Sequence, residues 1–421
     1  MSEAARQGQA PFHVAFLERL AGAASASSSD ARLGHGAFLT LRLVDLLEAP
    51  RESLPQSVFS YQLTATGLAC RHLPSDATET AHLQGLLEAT GDAYGARDVR
   101  LVVPALLAYA HYLEDELRLA EALDVLETVL RVGGPALRAA DRVAARLRVA
   151  RVLRKLNEFD TAELAYVAAG TLAAASGDRH SEFLSRIGRA NTVLGRGNLA
   201  EAERQLQEVL RDSELVKDRE AQARVHQGLA VVLVTRGQPA EAIPHAWRAY
   251  QDFQDDPSRA RALGDLGGML LMVGDVDGAE RALAEVVRCD GTHDVVSNAM
   301  IELMNCASYR RDQLAFERWR ARCEARHDGM PPNILADFYF KSGLGRARFR
   351  QYDRAERQLG TAIKIAETAG LHEFVFRVER IRSGLRDCPQ GCVAPPEAAA
   401  ETASPAQAVR EVSAALVHFV T

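Results

Sequence analysis

GNLAEAERQL, at residues 197–206, decides the fold, because similar ten-residue stretches recur along the chain at nearly constant spacing. One position in each stretch holds a small residue; its first three intervals are 40 residues and the next is 37. The copies of this position are Ala122, Ala162, Ala202, Ala242, Ala279, Ala315 or Phe316, and Ala355. A fixed period of this length indicates an array of stacked repeats, which usually presents a binding surface.

Each repeat is predicted to be a pair of antiparallel helices. In the second repeat, Leu153 and Leu156 precede a turn, and Ala162 and Tyr166 follow it, at steps of three and four residues. Such steps place side chains on one face of a helix, whereas a strand would alternate. A turn glycine, free to take a positive φ, stands at Gly197, Gly237 and Gly274. The small residue after the turn lets the two helices approach closely.

The pattern resembles the tetratricopeptide repeat family over about residues 98–371. The family has a small residue in its first helix, helix A, and here those residues are Ala110, Ala150, Ala190, Ala230, Gly267 and Gly343. The resemblance implies an all-α protein, a right-handed superhelical solenoid of about seven helix pairs. Two features depart from the family pattern. The period exceeds the usual ~34 residues, and the sixth repeat has no turn glycine and an ambiguous phase.

The chain ahead of the array is expected to have two parts. Residues 1–35 are predicted to be a flexible segment, although residues 11–20 are amphipathic and suited to docking on the first helices. Residues 36–97 are predicted to be a helical cap or a degenerate repeat. Counting residues 61–89 as a repeat raises the number of helix pairs to eight, with Ala81 as the small residue after the turn.

The array is predicted to extend over residues 98–386, followed by a linker at 387–405 and a C-terminal amphipathic helix at 406–421. The helix has one apolar stripe, formed by Val409, Val412, Leu416 and Phe419. Because such a stripe must be covered, we expect the helix to dock. The favoured site is the last repeat, as a cap, and the alternative is the groove of the array, as a tethered ligand.

Composition excludes several function classes. The net charge is −6 and the sequence pI is about 6.1, so nothing argues for a nucleic-acid partner. No apolar run reaches the ~18 residues that a membrane span needs. Glu18 and Arg19 interrupt the apolar part of the first residues, which argues against a secretory signal. We expect a cytoplasmic protein without a membrane partner; the oligomeric state stays open.

No catalytic motif is found: the sequence has no phosphate-binding loop, no nucleophile elbow and no zinc-protease motif. We therefore expect a non-enzyme without cofactors or metals. Four cysteines fall in helical segments and are predicted to be small core residues: Cys70, Cys289, Cys306 and Cys323. Cys388 and Cys392 form a C-x-x-x-C pair that suits either a weak metal site or a redox switch, and their role stays open.

The resemblance also implies a concave groove lined by the A helices. Its groove-facing positions correspond here to Arg148, Arg151, Lys155, Asn191, Arg224, Gln227, Arg261, Asn298, Asn305 and Lys341. Arg148, Arg151 and Lys155 are three and four residues apart, so they share one face of a helix. That row is either a solvated outer face or an anion-binding stripe. Asn191 and Asn305 could hold an extended peptide backbone, since an amide both donates and accepts.

The resulting hypothesis is a non-enzymatic scaffold or adaptor that binds a protein or peptide in this groove, with an acidic or carboxylate-ended ligand. The alternative is a peptide-responsive sensory regulator that binds and controls a signalling or transcription protein. That alternative rests on layout alone, a helical N-terminal part followed by repeats, and fold does not fix function.

Overall fold

A computed structural model describes residues 12–22, 29–50, 52–289, 292–327, 330–387 and 407–419. Within these ranges the regular structure is α-helix with short 3-10 turns and no strand, which confirms the all-α helical-repeat fold. No helix of the described ranges is long and apolar enough to cross a membrane. The chain divides into two compact units, Met1–Arg196 and Gly197–Thr421.

The N-terminal unit is a series of helices joined by short connections, in which consecutive helices pack against each other. They are α1 Val14–Gly22, α2 Ser29–Asp45, α3 Gln56–Cys70, α4 Thr78–Ala96, α5 Val103–Asp115, α6 Leu119–Gly133, α7 Ala139–Lys155, α8 Phe159–Ala175 and α9 Arg179–Gly195. Its largest core is apolar and runs from α1 to α7.

The repeat positions in this unit are buried as the period predicts. Ala110, Ala122, Ala150 and Ala162 are fully inaccessible to solvent, because helices A and B of each pair approach at these points. Asn157 takes a φ of 63° at the turn of the second repeat, so it adopts the left-handed conformation that glycine adopts elsewhere.

The helices before the array differ from expectation in two ways. Helix α2 begins at Ser29, so residues 29–35 are helical rather than part of a flexible segment. Ala81 is exposed, whereas Leu83 and Leu86 are buried, so Ala81 is not the packing residue of an eighth repeat. The reason is that α4 turns a different face toward α2 and α5 than a B helix would.

Helix α1 docks on this unit, as the amphipathic pattern of residues 11–20 predicts. Phe16 is fully buried, and α1 packs against α2 and α6. Just before the helix, the buried His13 lies between two acids, with Nδ1 at Asp124 and Nε2 3.2 Å from Asp45. Burial alone would lower the pKa of His13, but its hydrogen bonds with Asp124 and Asp45 outweigh burial and raise it.

The C-terminal unit continues the same construction. Its helices are α10 Leu199–Val216, α11 Arg219–Thr235, α12 Pro239–Asp252, α13 Asp256–Met272, α14 Val276–Arg288, α15 His293–Tyr309, α16 Gln313–Glu324, α17 Pro332–Arg348, α18 Tyr352–Thr368, α19 His372–Asp387 and α20 Gln407–Ala415. A 3-10 turn, Leu416–Phe419, follows α20. Many of these helices begin at an aspartate whose carboxylate accepts a backbone N–H of the first turn, for example Asp218, Asp255 and Asp312.

In the sixth repeat, burial shows which of Ala315 and Phe316 takes the small-residue position. Phe316 is fully buried and Ala315 only partly, so the phenylalanine takes the small-residue position. The phenylalanine ring fits because it packs against Gly345 of α17, where an added Cβ would collide with the ring. The turn of this repeat is closed by Arg311 with a φ of 58°. Pro244 lies inside α12.

The C-terminal helix is docked, but at neither expected site. Helix α20 packs against α12, and the 3-10 turn after it packs against α14; these are B helices of the fourth and fifth repeats. Val409, Val412 and Leu416 are buried there. Neither the last repeat nor the A-helix side receives the apolar stripe, because α12 offers Trp247 and Tyr250, which contact Phe419.

Two further expectations concern cysteines and the linker. Cys70, Cys306 and Cys323 are buried, but Cys289 is exposed at the end of α14 rather than in a core. Cys388, Cys392 and residues 388–405 of the predicted linker lie outside the described residues.

Candidate functional site

Arg148, Arg151 and Lys155, which we call the cation row of α7, surround Glu114 of the preceding A helix, α5. Arg151 Nε and Lys155 Nζ each lie 2.7 Å from Oε1 of Glu114, and Arg148 lies 3.7 Å from Oε2. The Glu114 side chain is fully buried on α5. The three cations therefore share one face, as their spacing predicts, and that face is turned toward an A helix.

Electrostatics explains why a buried acid is tolerated at this point. Burial alone would raise the pKa of Glu114, but Arg151, Lys155 and Arg148 hold it below its ordinary value. In turn, burial lowers the pKa of Lys155 and of Arg148. Sequence reasoning missed Glu114, because no spacing rule connects an acid on α5 with cations on α7.

The acid balances one of the three positive charges predicted for an anion-binding stripe. Arg148, Arg151 and Lys155 remain partly accessible, at 30%, 42% and 28% of the side chain. Asn191 is half-buried on α9, which packs against α7. An outside anion would have to compete with Glu114, so the stripe stays a prediction whose strength depends on that competition.

The predicted residues of the C-terminal unit divide into two sets. Arg261 and Asn298 line a cavity of about 500 Å³ between the A helices α11, α13, α15 and α17, and Gln227 lies at its edge, donating to Asp265 over 3.0 Å. Arg224 instead pairs with Glu220 on its own helix, at 2.7 Å. Lys341 is held between Glu302 and Asp337, each at 2.5 Å.

Asn305 corrects the sequence expectation. The residue is buried, and both ends of its amide are used within the protein: it accepts from Arg348 at 2.7 Å and donates to Glu302 at 3.2 Å. Because it is buried and engaged at both ends, it is poorly placed to hold a peptide backbone. Asn298, two turns earlier on the same helix, is exposed and lines the cavity.

The cavity owes its space to two glycines on α13. Gly264 and Gly268 both line it, and a Cβ built at either would meet nothing within 4 Å. Their neighbour Gly267 is different, since a Cβ there would lie 2.7 Å from Cγ of Leu283. All three glycines look like packing residues in the sequence, but only Gly267 serves packing.

Charge and apolar surface meet in this cavity, which we call the α13 groove. Arg261, Asp265, Asp294 and Glu302 line it, together with Met272, Val231 and Ile334. Arg261 lies 3.4 Å from Asp294. The groove walls desolvate Asp265 and raise its pKa, although its side chain is still in contact with solvent. Sequence reasoning missed Asp294, although it stands one turn before Asn298 on the same face.

The described helices pair in an antiparallel array, which is an all-α helical-repeat fold. The chain thus resembles tetratricopeptide repeat proteins. No protein-family model and no curated protein matches its sequence.

Among solved structures, a Rap protein complexed with competence and sporulation factor is similar, with a TM-score of 0.49 and 11% identity over 80% of this chain and 99% of that one. NprR in complex with its cognate peptide NprX gives a TM-score of 0.40 and 12% identity over 84% and 99% of the two chains. A tetratricopeptide repeat protein from Parabacteroides merdae gives 0.34 and 14% over 66% and 98%.

Proposed function

We propose that the protein binds a peptide or an extended protein segment in the α13 groove and performs no chemistry on it. The observation that carries this proposal is the pair Gly264 and Gly268, whose positions open into the cavity. Glycine in a helix interior costs about 0.5–1 kcal/mol relative to alanine. No neighbour requires the absence of a side chain at these two points, and a ligand lying against the helix backbone would require it.

The groove also has the surface that a peptide needs. Val231 and Met272 expose 44% and 52% of their area although both are apolar, and both line the groove. Asn298 is exposed in the same groove and can both donate to and accept from a backbone. A cavity of this size lies within the usual range for ligand sites.

The test is a leucine placed in the groove. Gly268→Leu should leave the fold intact, because the Cβ position is open, and should abolish capture of the partner from an extract of the native cell. The matched control is Gly85→Leu, since Gly85 also lies in a helix interior with nothing within 4 Å of a built Cβ. If both variants capture the same proteins as the wild type, with unchanged circular dichroism, the groove is not the binding site.

A second candidate function, a ligand-responsive regulator, is favoured by the docked C-terminal helix. Helix α20 and its following turn lie on α12 and α14, and those helices pack directly on α11 and α13 of the groove. A ligand that shifts α11 or α13 would therefore alter the surface under α20. If the protein is such a regulator, ligand binding should change the rate of proteolysis at Arg410.

Two further proposals concern the cation row of α7 and the cellular compartment. The acidic or carboxylate-ended ligand stays a prediction for the cation row of α7, with Glu114 as its competitor. We also place the protein in the cytoplasm, because free thiols at Cys70, Cys306 and Cys323 fit a reducing compartment.

A further inference from the structure

The α13 groove has the opposite charge from the ligand site expected from sequence. Its lining contains one cation, Arg261, and three carboxylates, Asp265, Asp294 and Glu302, for a formal charge of −2. Lys341 touches Glu302, but it also pairs with Asp337. Adding Lys341 and Asp337 to the count leaves the formal charge of the groove at −2, because their charges cancel.

The carboxylates are placed to meet a ligand on both walls of the groove. Asp265 lies on α13 one turn from Arg261, and its side chain is exposed. Asp294 lies on α15, one turn from Asn298, and keeps 36% of its side chain accessible. Its contact with Arg261, at 3.4 Å, is long and exposed on both sides, so it is easily exchanged for another cation.

The same cavity has an apolar part beside these acids. Met269 and Ile334 are buried in its wall, and Met272 is exposed at its surface. Methionine side chains adapt their shape to different apolar partners. An apolar ligand group would therefore be accepted in the same cavity as the carboxylates, and the open faces of Gly264 and Gly268 leave room for it.

We infer that the ligand of the α13 groove presents a positive charge next to a bulky apolar side chain, as a Lys or Arg side chain or a free amino terminus beside a residue such as Leu or Phe. This inference rests on the proposed function. An acidic segment would bring its charge against three carboxylates, which costs free energy, whereas a cation can form charge-assisted hydrogen bonds with Asp265 and Asp294.

A random heptapeptide library displayed on phage tests this charge preference. The library is selected on the wild-type protein and counter-selected on Gly268→Leu, so that only groove ligands remain. Enriched sequences should carry either Lys or Arg beside an apolar residue or an apolar residue at the free amino terminus. Enrichment of acidic sequences, or of uncharged sequences with no apolar residue at the amino terminus, would overturn the inference and leave the groove function standing. If no sequence separates the two proteins, the proposed function fails as well.

Synthetic copies of the enriched peptides then identify the contacts. Asp265→Asn and Asp294→Asn should each weaken binding by about three- to tenfold, and binding should fall as salt rises, because exposed charges are screened over ~8–10 Å. Asp277→Asn is the control, since it removes the same charge from an exposed acid on α14 that does not line the groove. Equal effects in all three variants would contradict the contacts.

Acetylation of the peptide amino terminus separates the two sources of charge. If binding survives acetylation, a Lys or Arg side chain supplies the cation. If acetylation abolishes binding, the amino terminus supplies it. Both outcomes support a cationic ligand, and a peptide that binds equally well after loss of every positive charge would refute it.

Discussion

Replacing Leu416 with alanine should release the C-terminal helix from the array. Leu416 is fully buried against α12 and α14, together with Val409 and Val412. Buried Leu→Ala changes destabilise proteins by about 2–5 kcal/mol. Because a helix docked on a surface can undock, we expect a cost at the lower end of this range. A loss of about 2 kcal/mol shifts the docking equilibrium roughly thirtyfold toward the free helix.

Trypsin cleavage at Arg410 reports this equilibrium. Arg410 lies within α20, and cleavage inside a helix requires local opening, so the rate follows the open population when reclosing is fast. The emission of Trp247, whose ring centroid is 6.2 Å from that of Phe419, gives a second signal. Trp319→Phe makes Trp247 the sole tryptophan of the chain, which has two.

Val417→Ala is the control for this experiment. Val417 belongs to the same turn but exposes 46% of its area, so its truncation removes little contact. We expect cleavage at Arg410 to rise about thirtyfold in Leu416→Ala and to change little in Val417→Ala. Equal rates in the two variants, with Trp247 emission unchanged, would refute the docked arrangement. Truncation after Arg386 should then lower the melting temperature and promote aggregation, by exposing the apolar surface of α12 and α14.

Three further predictions address packing, the N-terminal helix and the buried acid. Gly267→Ala should destabilise the protein by about 1–3 kcal/mol through overpacking, whereas Gly268→Ala should stabilise it by about 0.5–1 kcal/mol; urea denaturation measures both, and equal effects would contradict the assigned roles. The raised pKa of His13 gives stability that is complete below its ordinary pKa of about 6.5 and is lost as pH rises through the raised value. The free energy of unfolding lost in His13→Gln should therefore be larger at pH 6 than at pH 9, and a loss independent of pH would argue against a charged His13. Glu114→Gln should cost about 3 kcal/mol, because a buried ion pair loses one partner, and should raise the affinity for a glutamate-rich peptide measured by fluorescence anisotropy; unchanged affinity would exclude the cation row as an anion site.

The repeat architecture could be predicted because its determinants are local and periodic. The small residues at Ala122, Ala162 and Ala242 are fully buried, since one position in each helix pair faces the same contact. The sixth repeat was ambiguous for a physical reason. Its close approach is provided by Gly345 on the facing helix, so a phenylalanine could replace the small residue at position 316.

The position of the C-terminal helix could not be predicted from its stripe. Apolar spacing shows that α20 has one face to cover, but it does not identify the surface that covers it. The decisive partners are Trp247 and Tyr250 on α12, more than 150 residues earlier in the chain. A contact over that separation depends on the folded surface and not on any local pattern.

The same limit explains the charge of the candidate site. Helical spacing correctly placed Arg148, Arg151 and Lys155 on one face, but the acid they meet, Glu114, comes from another helix. On α13, spacing likewise groups Arg261 with Asp265, whose charges cancel, while Asp294 and Glu302 of α15 make the groove negative. A repeat period sets which positions face inward, and the contents of neighbouring repeats set what those positions bind. Because different repeats here carry different charges on their A helices, we expect the ligand to be selected by the combination of helices rather than by any single repeat.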